Sequence, residues 1–188
     1  MHMKFFLLAW WLGCALTGFA RAAATTGTIN ATLTLTNGCL INGDPATANA
    51  SFGTLDFGTH PATFDTLSAT LTGATGDGIR VRCTDGATYS VQIIGSNTAP
   101  TNVYGAETAS PRYLVLGSDA SQGIAYTLYN DAAFTTPIAN NTRLRASGIP
   151  DPVNGNIYPV YGRVSQGGNN TAVPAGTYTD VINVQVIY

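Results

Sequence analysis

From residue 28 to residue 36 the chain reads Thr-Ile-Asn-Ala-Thr-Leu-Thr-Leu-Thr, with Ile29, Ala31, Leu33 and Leu35 at the odd positions and Thr or Asn at every even one. Successive side chains of a β-strand point to opposite faces, so this segment has one wholly apolar face and one wholly polar face. The same period closes the chain, where Ile182, Val184, Val186 and Tyr188 share a face and Asn183 and Gln185 take the other. Between them lie shorter apolar runs at 68–71, 79–83, 89–94, 113–116, 124–129 and 160–164. They are separated by turn signals at Asn42-Gly43-Asp44-Pro45, Gly76-Asp77-Gly78, Asp85-Gly86, Asn154-Gly155-Asn156 and Gly167-Gly168-Asn169. No stretch carries a 3.6-residue apolar period, and the pattern predicts an all-β sandwich or barrel.

The two alternating ends differ from the interior runs in setting. Asn37-Gly38 follows the first, which reads as an arm leading into the domain at Cys39. The second is the last strand, with no residue after it to return and cover its neighbour. A sandwich that needs one more strand beside it must then take it from another molecule.

Ahead of the arm, Lys4 precedes the apolar run from Phe5 to Leu12, and Ala20-Arg21-Ala22 places small residues where a signal peptidase reads them. Residues 1–22 are therefore expected to be a secretory signal peptide, with Ala22-Ala23-Ala24 offering a second cleavage position. The expected organisation is signal peptide 1–22, arm 23–37 and β-domain 38–188.

Processing at this point changes the composition. The full chain of 188 residues has 8 basic and 10 acidic groups. The portion after residue 22 keeps six arginines and all ten acids, has one histidine, His60, and lacks lysine, methionine and tryptophan. An excess of acid gives no field to hold a nucleic-acid backbone, so no nucleic-acid partner is expected. Of three cysteines, Cys39 and Cys83 remain, and two cysteines in an exported chain most simply form one disulfide.

The inventory offers little chemistry. One imidazole beside Pro61 rules out a multi-histidine metal site and reads as a solvated loop residue. Nine Asp and Glu107, nearly all beside turn formers, read as solvated turn acids, and 73–78 is glycine-rich but lacks a P-loop lysine and reads as a hairpin turn. Asn-x-Ser/Thr triplets at Asn30, Asn49, Asn140 and Asn169 are expected by chance in so Asn- and Thr-rich a chain. No catalytic residue, metal, cofactor or small-molecule substrate is expected.

Several segments together resemble the spore coat protein U family of pilins from archaic chaperone-usher pili. They are the alternating arm running into Asn37-Gly38-Cys39, Ser51-Phe52-Gly53-Thr54-Leu55-Asp56-Phe57-Gly58, Ile79-Arg80-Val81-Arg82-Cys83, and 125–131. Val160-Tyr161-Gly162-Arg163-Val164 and the ending from Gly176 complete the set. The resemblance implies an incomplete immunoglobulin-like β-sandwich, completed by a donor strand from another subunit. It implies Cys39–Cys83 as the family disulfide, Ile29, Ala31, Leu33 and Leu35 as donor-strand residues, and Ile182, Val184, Val186 and Tyr188 as part of the acceptor groove. It also implies a periplasmic chaperone, an outer-membrane usher and neighbouring pilin subunits as partners, location in a surface pilus, and roles in adhesion and biofilm formation. Region 98–111 is longer than the family's minimal loop. The rival reading is a secreted carbohydrate- or surface-binding adhesin module of β-sandwich fold.

Overall fold

The computed structural model describes residues 24–35, 37–45, 49–84, 89–151, 153, 155–165 and 172–188. The expected signal peptide lies outside these residues, as do the turn signals at Asp85-Gly86 and Gly167-Gly168-Asn169. The chain divides into two units, Met1–Leu35 and Thr36–Tyr188. In the first unit residues 24–35 form no strand, and Ile29, Leu33 and Leu35 are 97%, 82% and 83% exposed. The alternation at 28–36 predicts a strand face, but a strand exists only where a second backbone supplies a ladder.

The second unit is all-β, without an α-helix among the described residues. One sheet joins β1 (Cys39–Ile41), β2 (Asp44–Pro45), β6 (Ile79–Cys83), β12 (Ser147–Asp151) and β13 (Gly155–Tyr158) in the order β12-β13-β6-β1-β2. A larger one runs β15 (Tyr178–Thr179), β9 (Arg112–Leu116), β10 (Asp119–Tyr129), β14 (Tyr161–Val164), β4 (Leu67–Gly73), β3 (Thr54–Leu55). Two short strands join it, with β5 (Gly76–Asp77) on β4 and β8 (Asn102–Tyr104) on β10. The third sheet is β11 (Thr142–Arg143), β7 (Ser90–Gly95) and β16 (Asn183–Ile187). Every pairing is antiparallel except β8 on β10. The architecture is that of an immunoglobulin-like β-sandwich.

Inward residues of all three sheets meet in one core. Ile79 and Val81 of β6, Val91 and Ile93 of β7, and Ile124, Tyr126 and Leu128 of β10 are buried in it. Their spacing of two is the period that the interior runs announce. The final alternating run, by contrast, is split: β15 pairs with β9, β16 pairs with β7, and residues 180–182 between them belong to neither strand. Asp180 holds that crossing, because its carboxylate accepts the Asn97 N–H at 2.8 Å and the Tyr126 hydroxyl at 2.6 Å.

The central strand β10 is buried on both faces from Gly123 to Tyr129. Ile124, Tyr126 and Leu128 enter the main core, and the long loop predicted at 98–111 supplies the cover for the opposite face. There β8 pairs with residues 122–124, the Thr127 hydroxyl donates to the Ala109 carbonyl, and Ala106 N–H donates to the Ser165 carbonyl. Glu107, within this loop, is held against that face at 8% exposure. It accepts from Ser165 Oγ, from Arg163 Nε at 3.1 Å and from Tyr129 Oη at 3.2 Å, while the Arg163 guanidinium lies over the Tyr129 ring. The reading of every acid as a solvated turn residue is therefore corrected at Glu107, which is a buried ion-pair partner.

Cys39 and Cys83 face each other across β1 and β6 and are joined in a disulfide. The bond ties the start of the second unit to a central strand of its sheet. With the cysteines 44 positions apart, it restricts the unfolded chain by about 4 kcal/mol on the chain-entropy model. Replacing both cysteines by serine is expected to lower the unfolding free energy by roughly that amount, read from denaturant midpoints.

A pH dependence follows from Glu107. Burial pushes its carboxyl up, but hydrogen bonds from Ser165 and Arg163, the Arg163 charge and the Tyr129 hydroxyl outweigh burial and hold it below its ordinary value. A carboxyl depressed in the folded state stabilises the fold above its unfolded pKa of about 4.3, and that contribution disappears as pH falls through the lower folded value. Glu107→Gln is expected to cost about 1–3 kcal/mol at neutral pH. The gap between wild type and variant should close in urea titrations repeated at progressively more acidic pH.

Candidate functional site

The sheet edges provide the starting point. β3 is the last strand of the large sheet and β16 the last strand of the three-stranded one, so each has one side without a ladder partner among the described residues. An edge strand presents a row of N–H and C=O groups to any chain that can pair with it. Between the segment carrying β3 and the segment leading into β16 lies a groove of about 390 Å³.

Each wall is shaped by local sequence. On one side residues 50–55 and Phe57 line the opening. Gly53, at φ +123°, brings this segment against β4, where a Cβ would stand 2.6 Å from the Thr72 carbonyl oxygen. Gly162 on β14 leaves the space that Leu55 and Phe57 fill, since a Cβ there would meet them at 2.7 and 2.8 Å. Phe57 in turn packs edge-on against Tyr126 with ring centroids 5.8 Å apart. The other wall is the run from Asp180 to Ile182, with Val184.

The floor of the groove is the core itself. Leu71, Ile79, Ile93, Tyr126 and Leu128 from four strands line it, with Val160 from just before β14. A cleft that reaches core side chains along a sheet edge leaves apolar surface without a covering layer. Its polar side chains are few, and the one carboxylate is that of Asp180. Burial and the Asp180 charge push the Tyr126 phenol well above its usual range, so it stays neutral and donates to Asp180. Beneath them Arg112 is 2% exposed and donates to Asn140 Oδ1 and to the Ile138 carbonyl. Burial lowers its pKa, and the electrostatic influence of Tyr126 and Asp180 opposes that.

The structure distributes the sequence-expected residues as follows. Ile182 and Val184 line the groove and are half-buried. Val186 packs against the core on the same face of β16 but outside the groove lining, and Tyr188, of the same parity, is 58% exposed. The residues that sequence reading missed are those of the opposite wall, Phe52, Leu55 and Phe57, and Asp180. Phe52-x-x-Leu55-x-Phe57 lacks strict alternation, and its signal lies only in aromatic and aliphatic residues crowded between Gly53 and Gly58. His60 lies outside the groove, exposed, with Nε2 2.7 Å from the Phe57 carbonyl oxygen. Among the described residues no group of three or more His, Cys, Asp or Glu is placed to hold a metal ion.

An apolar groove between two open sheet edges can accept an extended, alternating strand, with main-chain bonds to the edge and side-chain seats below. No curated protein matches the chain. The family model for the Spore Coat Protein U domain matches residues 25–185. Together with the all-β sandwich and the Cys39–Cys83 disulfide, that match over most of the chain shows that the protein belongs to the Spore Coat Protein U domain family, a family of pilus-type surface subunits.

Proposed function

We propose that this chain is a structural pilin subunit of a chaperone-usher surface fibre, and that its groove is the seat of a donor strand supplied by a neighbouring subunit. The observation that carries the reading is the 390 Å³ apolar groove flanked by the unpaired edges of β3 and β16. Residues 23–37 are the arm that each subunit donates, with Ile29, Ala31, Leu33 and Leu35 as its seated side chains. Three of these four are large aliphatic residues that stand exposed in the isolated chain.

The energetics are sufficient for a lasting joint. Full burial of a large aliphatic side chain contributes about 1.5–3 kcal/mol, so three give roughly 5–9 kcal/mol before the arm's ordering entropy is subtracted. Main-chain pairing fixes the register, because a one-residue slip would turn the Thr and Asn face into the groove. Donor and acceptor are different surfaces of one chain, so the contact is head-to-tail and extends into a fibre. Before assembly the same open groove needs a temporary occupant, which is the role of a periplasmic chaperone, and exchange at an outer-membrane usher replaces it by the next arm. The fibre's function is attachment and biofilm formation, and the chain performs no catalysis.

Two outcomes test the reading. A copy of residues 28–36 fused after Tyr188 is expected to give a monomer in size-exclusion chromatography, more stable to denaturant by about 5 kcal/mol than the chain without it. No gain in stability would sink the proposal. Separately, Leu33→Asp in the arm should leave the disulfide-linked domain folded and able to accept a wild-type arm, yet unable to donate its own. Mixed with wild type, it should shorten fibres seen by electron microscopy in proportion to its share, and fibres of unchanged length would contradict the assignment.

A further inference from the structure

The outer face of the five-stranded sheet carries a second concavity, which shares no lining residue with the groove. Arg80 and Arg82 stand two apart on β6 and therefore on one face, while Val81 between them is fully buried on the other. With Leu40, Gly43, Thr75 and Val153 they enclose about 340 Å³, within the size range of small-ligand pockets. The Arg82 guanidinium is steadied by a hydrogen bond to the Val153 carbonyl, and the buried Arg80 Nε has no hydrogen-bond partner. Among the described side chains no carboxylate lies within ion-pair distance of either arginine. Two of only eight basic groups in an acidic chain are thus held side by side in one pocket. Placing like charges together is unfavourable unless something of opposite sign meets them.

We infer that this pocket binds the carboxylated ring of an acidic polysaccharide, a uronate residue. A guanidinium fork matches a carboxylate in two parallel hydrogen bonds, which accounts for the pair of arginines. Leu40 and Val153 add apolar wall, which a bare oxyanion would leave unused and which the C–H face of a pyranose covers. The exposed Thr75 contributes a hydroxyl of the kind that pairs with ring hydroxyls. The site goes beyond assembly: it gives the subunit its own affinity for an anionic, carbohydrate-rich matrix, independent of the state of the groove.

The test is calorimetric titration of the full chain, arm included, with trigalacturonate, with a neutral galactose trimer and with inorganic sulfate, each at low and at physiological salt. Binding of trigalacturonate that weakens with salt is expected, with no binding of the neutral trimer and sulfate at least about tenfold weaker. Arg80→Gln and Arg82→Gln should each weaken the uronate by about tenfold, the loss of a charged hydrogen-bonding group. Arg143→Gln, on β11 of another sheet, should leave it unchanged. Arg82→Lys keeps the charge but loses the fork, and a several-fold weakening there reads out the site even if a glutamine variant fails to fold. Absence of uronate binding, sulfate binding as tightly as the uronate, or affinity undiminished in the arginine variants would overturn the inference.

Discussion

A β-strand at the edge of a sheet satisfies half of its backbone, and a sandwich core is sealed only when its edges are closed. In this protein β3 and β16 both end their sheets, and the space between them opens onto Ile93, Tyr126, Leu128 and their neighbours. The groove is the consequence of that one deficit. Its cost is exposed apolar floor and unpaired edge groups, and in the proposed function its use is a binding seat whose shape is set by the sandwich itself. An arm with one wholly apolar face is the chemical complement of such a seat, because alternate side chains fill it while the backbone pairs at its edge.

An open core needs the rest of the molecule to be firm, and the polar interactions are placed accordingly. The Cys39–Cys83 bond fixes the first strand of the domain to a central strand. Asp180 anchors the crossing from β15 to β16 through Tyr126 and Asn97, which holds one wall of the groove in position. On the other side of β10, Glu107 and Arg163 lock the covering loop over a face that would otherwise be a second exposed apolar surface. These contacts brace the domain around the groove, which stays open between β3 and β16.

Much of this was legible in the sequence, for a physical reason that also sets the limit. Runs such as 79–83 and 124–129 declare themselves because inward residues of a strand recur every second position, and they became β6 and most of β10. The disulfide was readable from cysteine number together with the expected export. The strands β1, β2, β3, β5, β8, β11, β12 and β13 were not predicted, since most have only two or three residues, and β12 and β13 carry turn formers in place of alternating apolar residues. Glu107 looked like any surface acid because its partners Arg163 and Ser165 are more than fifty residues away. The terminal alternation at 182–188 gave the right face for Ile182, Val184 and Val186 but no sign that the chain changes sheet at Asp180, a choice made by hydrogen bonds to distant residues. For the site, one wall was visible and the Phe52–Leu55–Phe57 wall was not, because its packing depends on the space left by Gly162.

In the proposed assembly the arm of one subunit becomes a strand on the edge of another. Amide hydrogen exchange, resolved to single residues and compared between assembled fibres and the dissociated chain, addresses it most directly. The expected result is that amides of residues 29–35, and the amides of β16 that do not bond to β7, become protected together in the fibre and exchange freely together when it dissociates. Fibres in which residues 29–35 exchange as fast as in the dissociated chain would contradict strand donation.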